Sequence, residues 1–182
     1  MKTFEEYVEA AVSWHGHLCS GQCVGVKMAL YGMELLGLEP ERDRKRIAVF
    51  VECDRCPADA IGIVTGCKTG KRTYKFFDYG KTAASFLDLE SGRAVRIYRE
   101  VHMYPAEGED MVAFYKNLRN EEIFVYSEVD IPLRPCDLPG PPIEAVTCAS
   151  CGEEVTDSRH KIKDGAPICK PCAGEAYYAA VK

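Results

Sequence analysis

Four cysteines near the C-terminus are spaced to hold a metal ion. Cys148-x2-Cys151 is followed, after seventeen residues, by Cys169-x2-Cys172. A C-x2-C turn curls both thiolates toward one point, and two such turns supply the corners of a tetrahedron, the shell that zinc prefers. All four positions are sulfur and none is left for water, so the spacing predicts a structural zinc site. Gly152 suits a tight knuckle, Asp164-Gly165 marks a hairpin turn, and Ala173 to Val181 reads as a closing helix. That order is the order of a treble-clef-like finger. A module of roughly forty residues has too little core to fold alone, and the metal supplies the missing stability.

A second set of reactive groups lies in two early stretches. WHGHLCSG carries His15, His17 and Cys19, and ECDRCPADAIGIVTGCKTGK carries Cys53, Cys56, Asp59, Cys67, Lys68 and Lys71. Alternation at two-residue steps would turn His15, His17 and Cys19 to one side of an extended strip. Cys19 and Cys56 each stand where a helix begins, and helix N-termini favour thiolate over thiol. Mixed thiolate–imidazole shells suit zinc, so the expected core ligands are His17, Cys19, Cys56 and Cys67, with His15 either replacing His17 or orienting a ligand from behind. Asp59 is expected to hydrogen-bond a ligand or to act as acid and base, and Lys71 and Lys81 to receive an anionic substrate. Gly66, Gly70 and Gly80 stand near Lys68, Lys71 and Lys81, but no phosphate-loop pattern is complete. Cys53-x2-Cys56 and the Cys19–Cys23 pair keep thiol redox chemistry open as an alternative. Cys23 and Cys136 read as buried small hydrophobes, and Trp14 as a packing anchor.

The elements that must position these groups can be read from the rest of the 182 residues. Hydrophobic residues make up 47% and charged residues 28%, a balance that permits a real core. Thr3 with Glu6 forms a capping box opening a helix through about Trp14. A second helix runs from about Gly21 to Leu38, with a stripe of Gly21, Gly25, Ala29 and Gly32 that would admit another backbone closely. Arg46 to Cys53 reads as a buried strand, and Ala58 to about Thr65, after Pro57, as a short helix. Strands follow at Tyr74–Phe77, Ala83–Leu89 and Ala94–Arg99, then a helix from Glu109 to Arg119. Periodicity does not decide whether Glu122–Val129 is helix or strand. Five prolines within residues 131–143 mark a stiff linker. The organisation expected is therefore an α+β core of mixed helices and an antiparallel-leaning sheet over 1–130, the linker 131–143, and the finger 144–182.

Charge and composition narrow the function. The net charge is −5, and residues 144–182 hold five Lys+Arg against six Asp+Glu, so no basic stripe exists to neutralise phosphates. Nucleic acid is not the expected partner; protein contact is. No apolar run is long enough to span a bilayer. The acidic start is no secretory signal, and ten cysteines without one point to the reducing cytoplasm, where clustered thiols mean metal or redox chemistry.

HGHLCSG, then CPADAI, TGCKTGK and FFDYGK, resemble the family named for the E subunit of formylmethanofuran dehydrogenase. The resemblance covers roughly residues 14 to 86, and the C-terminal finger is similar to one that many members append. It implies His15, His17, Cys19, Cys56, Asp59, Cys67, Lys71 and Lys81 as the family-typical positions, a homodimer, and a role as subunit or accessory of a molybdenum- or tungsten-linked C1 redox system. Ser20 stands where the family has proline, and Arg72-Thr73 where it has glycine-asparagine. Cys23 and Cys53 are additional to the pattern. These departures leave open which thiols bind a core metal. A small-molecule zinc enzyme acting alone, a thiol oxidoreductase, and a zinc-finger interaction module stand as alternatives.

Overall fold

The structure, a computed structural model, describes residues 2–179 and 181. It divides into two compact units, Met1–Pro132 and Leu133–Lys182.

In the first unit, helix α1 (Phe4–His15) opens on the capping box: the Thr3 side chain accepts from the Glu6 N–H while the Glu6 carboxylate accepts from the Thr3 N–H. Helix α2 (Ser20–Leu35) follows after a four-residue break. Strand β1 (Ile47–Val51) leads into α3 (Cys56–Thr65) and then β2 (Tyr74–Phe76), which returns parallel to β1. A helix is the usual way to join parallel neighbours, so β1–α3–β2 is one crossover unit. Strands β3 (Ala83–Asp88), β4 (Ala94–Arg99) and β5 (Phe124–Val129) extend the sheet, with α4 (Met111–Asn117) between the last two. The strand order is β2-β1-β3-β4-β5, with the β1–β2 pair parallel and the other three pairs antiparallel. Residues 124–129, ambiguous by periodicity, form a strand because β4 offers its free edge to them over six register pairs.

One face of the sheet carries the core. Val49, Phe86 and Val95 stand side by side in register, as do Val51, Ala84 and Ile97, and all are buried with the helices. The small-residue stripe on α2 does what its composition suggests. A Cβ on Gly25 would lie 2.6 Å from the Pro57 carbonyl oxygen and 2.7 Å from the Pro57 Cα. On Gly32 it would lie 2.4 Å from the Phe86 ring. Helix α2 is thus held against the backbone of α3 on one side and against the sheet on the other.

The second unit holds two small antiparallel pairs, β6 (Ala145–Thr147) with β7 (Glu154–Thr156) and β8 (Lys161–Lys163) with β9 (Ala166–Ile168). A helical turn, Pro171–Glu175, follows. The closing helix expected from Ala173 to Val181 is not formed: Gly174 takes φ +93° and Ala176 is extended, which ends the turn. Ala180, in the same span, lies outside the described residues. The proline-rich stretch is not a bare tether. Cys136 is buried, Asp137 pairs with Arg134 and Arg159, and the Ile143 N–H donates to Asp157.

Two outcomes test this packing. Gly25→Ala should destabilise the protein by about 1–2 kcal/mol, because overpacking against an immovable carbonyl outweighs the roughly 1 kcal/mol that alanine gains in a helix; denaturant unfolding reads it. Burial alone would raise the Asp88 carboxyl, but hydrogen bonds from Arg46, Ser91 and the Glu90 N–H outweigh it and hold the group at about 2. A carboxyl lowered on folding stabilises above its unfolded value and loses that contribution as pH falls through the folded one. Acid unfolding curves should therefore show stability falling between about pH 4 and pH 2, and Asp88→Asn should remove on the order of 2 kcal/mol at neutral pH.

Candidate metal centre and the cleft beside it

Three helix ends meet at the first unit's reactive groups. His15 is the last residue of α1, and Gly16 caps that helix at φ +96°, a conformation that glycine adopts without strain. The reversal at Gly16 brings the His17 ring back to within 4.7 Å of the His15 ring, centroid to centroid. Cys19 is the N-cap of α2, extended at φ −148°, and its side chain caps no backbone N–H. One ligand atom from each of His15, His17 and Cys19 lies within 4.8 Å of the others. The grouping arises from a left-handed turn at a helix end, not from the extended strip that alternation suggests.

Helix α3 supplies the other side. The Asp59 Oδ2 lies 2.8 Å from His15 Nδ1. That contact assigns the Nδ1 proton, so Nε2 presents a lone pair. Nε2 is buried and has no hydrogen-bond partner. A carboxylate on one imidazole nitrogen and an unsatisfied lone pair on the other is the arrangement that orients a metal-bound histidine. A buried acceptor left unpaired is costly, and an ion between His15, His17 and Cys19 would satisfy it. The donor set therefore fits a transition metal.

Cys56 stands against Cys19, their thiols in hydrogen-bonding reach. Burial, and then the Cys19 thiol, push Cys56 up rather than down; its helix-start position does not produce the depressed thiol expected. Cys53 is buried and burial raises it too, an environment that disfavours the thiolate needed for disulfide exchange. Cys23 is fully buried and pushed up to about 12, first by desolvation. Cys67 does not join the group. Its thiol donates to the Ile47 carbonyl at 3.4 Å, at the start of β1, whereas Cys56 follows the end of that strand. The two thiols sit at opposite ends of α3, which sequence spacing alone does not reveal. Lys71 and Lys81 are exposed, and neither lines a described cavity next to the centre.

Two hollows adjoin. The smaller, about 420 Å³, is lined by His15, Cys53, Cys56, Asp59 and Phe76 among others. The larger, about 540 Å³, runs along α3 between Trp14, Asp59, Ile63, Lys68, Gly70 and Tyr74. Trp14 is 73% exposed, so it forms a wall here instead of anchoring the core. Tyr74, whose hydroxyl donates to the Ala58 carbonyl at 2.9 Å, reads in sequence only as a strand residue. Its alternation with Lys75 on an edge strand is the available signal.

In the second unit the four cysteines converge as their spacing predicts: one sulfur from each lies within 4.8 Å of the rest. Gly152, at φ +78°, closes the knuckle with its N–H on the Cys148 carbonyl. Backbone N–H groups of Cys151 and Cys169 lower the Cys148 thiol to about 6. The Cys172 N–H similarly reaches the Cys169 sulfur at 3.4 Å.

A profile described as "FmdE, Molybdenum formylmethanofuran dehydrogenase operon" matches residues 14–125, well over half of the chain. The chain belongs to the FmdE family. Residues 142–178 match the prokaryotic dksA/traR C4-type zinc finger, so this FmdE chain carries its four-thiol cluster on a recognised zinc-finger module. A "Probable S-adenosyl-L-methionine-binding protein" of Archaeoglobus fulgidus is 29% identical across 94% of this chain. The chain spans about half, 53%, of that relative's length. An FmdE-like protein of the tungsten formylmethanofuran dehydrogenase type from Syntrophus aciditrophicus has a similar fold, with a TM-score of 0.61 at 23% identity, covering 98% of this chain and 96% of that one. Among the described residues no helix is long and apolar enough to cross a membrane.

Proposed function

We propose that this FmdE-family protein binds two metal ions, a structural zinc in the C-terminal finger and a second ion, zinc in the first instance, in the first unit. We further propose that it serves a molybdenum- or tungsten-linked C1 redox system as a subunit or accessory. The observation that carries the core site is His15: one ring nitrogen on Asp59, the other buried, unpartnered and grouped with His17 and Cys19. His15, His17 and Cys19 would hold the ion, with Cys56 beside them as the nearest further donor. A bound ion with an open position supplies Lewis acidity to a small substrate. Asp59 is then a positioning residue that fixes the tautomer of His15, and Cys67 is a structural thiol on Ile47. The link to C1 redox chemistry is supported by the family's description and by the name of the Syntrophus protein. The finger, with its near-neutral charge, makes protein contacts, and cytoplasmic placement accords with so many free thiols.

The homodimer belongs to this reading as well. Phe76, Phe77 and Tyr79 are about half exposed on the edge strand and the loop after it, and an open strand edge with aromatic neighbours invites a second copy.

Metal counting tests the site. The wild type should hold about two ions per chain, each fold-coupled site retaining its own. Cys148→Ser with Cys169→Ser should remove the finger's ion, and His15→Ala with Cys19→Ser the core's. Asp59→Asn should keep the count at saturating zinc yet weaken the core site by about 10–100-fold in chelator competition. A wild type with a single ion, indifferent to the His15 and Cys19 changes, would refute the core centre. Light scattering tests assembly: a dimer should become monomeric in Phe76→Glu with Phe77→Ser, and a monomeric wild type would overturn that part.

A further inference from the structure

The larger hollow has a long wall made of one face of α3, from Asp59 and Ala58 through Gly62 and Ile63 to Cys67. From Asp59 to the Gly66 cap the helix rises about 10 Å. At one end are Asp59, which holds His15, and the exposed indole of Trp14. At the other is the turn Lys68, Thr69 and Gly70. The middle is apolar: Ile63, the bare backbone of Gly62, and the Tyr74 ring. The polar groups of that wall already have partners. The Tyr74 hydroxyl is held on the Ala58 carbonyl, and the Cys67 thiol on the Ile47 carbonyl.

Lys68 is the exception. Its backbone N–H is fixed by the Thr73 hydroxyl and its carbonyl accepts from the Lys71 and Tyr74 N–H groups, so the residue is held in place from both sides. Its ammonium pairs with no carboxylate among the described residues. A positioned cation with no counter-charge, at the far end of an apolar cleft of about 540 Å³, is complementary to an organic anion.

We propose that this cleft is the substrate subsite of the core centre, and that it takes an elongated carboxylate: the anionic head on Lys68, an apolar or aromatic body along Ile63 and Tyr74, and the far end beside Trp14, Asp59 and His15. This deepens the metal-centre reading by naming the substrate class and orientation, and assigns anion recognition to Lys68 in place of Lys71 and Lys81. A molecule so bound reaches the His15 end with its uncharged terminus, so chemistry falls on the end remote from the carboxylate.

Trp14 is the chain's single tryptophan and reports on the cleft without a label. Full-length protein titrated with ω-phenylhexanoate should show a saturable change in tryptophan emission, with a matching heat in calorimetry. The neutral amide of the same length should bind at least about tenfold more weakly, a factor set by one charge contact. Lys68→Met should weaken the carboxylate to the level of the amide, whereas Lys71→Met should change it by less than about twofold. Absence of both emission change and heat, or equal binding of acid and amide, overturns the proposal. Cys19→Ser separates it from the metal reading. Affinity kept in Cys19→Ser and lost in Lys68→Met places the head on Lys68; the reverse pattern places it on the ion and overturns the orientation. Should metal counting find no core ion, the same titration still decides whether the cleft and Lys68 bind the anion.

Discussion

The approach of α3 to α2 within backbone contact is the constraint on which the first unit depends. Side chains at residues 21 and 25 would force these helices apart: a Cβ on Gly21 would stand 2.8 Å from that of Cys56, and one on Gly25 closer still to Pro57. Because the glycines are there, the start of α2 and the start of α3 lie together, and Cys19 meets Cys56. The Gln22 amide strengthens the junction by donating to the Cys56 carbonyl at 2.9 Å. One turn further into α3, Asp59 arrives opposite the end of α1 and takes His15. The reactive cluster is thus a by-product of helix packing, and three helix termini, not a loop, hold it. Sites carried on such elements are positioned more tightly than sites on mobile segments.

The crossover β1–α3–β2 explains why one end of α3 is chemical and the other is not. Groups after the C-terminal end of a strand and at the start of the following helix face a crevice open to ligands, and Cys53, Cys56 and Asp59 lie there. At the far end, α3 closes on Gly66 and the chain turns back toward the start of β1, where Cys67 finds the Ile47 carbonyl. A thiol in that place is a small buried hydrophobe with one hydrogen bond, and desolvation raises it accordingly. The same helix therefore separates two cysteines that sequence spacing groups together, and its exposed flank between them becomes the wall of the cleft.

Local chemistry was readable wherever the signal was itself local. The Thr3–Glu6 box, Pro57 in the first turn of α3, and the two C-x2-C knuckles each act within four residues, and each forms as its residue types require. Long-range placement was readable only where a stripe announced it, as on α2. What failed depended on backbone handedness or on helix length. The turn at Gly16 looks from sequence like an extended run, and Gly174 ends a stretch whose composition suits a helix. Trp14 reads as a core residue by type, yet it follows the buried face of α1, where Tyr7, Val8 and Ala11 already fill the contact. Segment 124–129 has a half-exposed pattern with no clear period, and only its partner strand decides it.

The two metal-capable clusters differ in a way that bears on what each can do. In the finger, backbone N–H groups from the knuckle and from the second pair already point at sulfur, lowering Cys148, and all four donors are thiols. Such a cluster is built to hold charge and to stay closed. In the core, the donors are two imidazoles and a thiol, one imidazole is steered by a carboxylate, and a hollow opens alongside through Asp59. A mixed set with a steered histidine and an adjoining cleft leaves room for a substrate where the finger leaves none. The division of labour follows from donor chemistry and access: the second unit's metal site is structural, and reactivity concentrates where Asp59 joins the histidines to the cleft along α3.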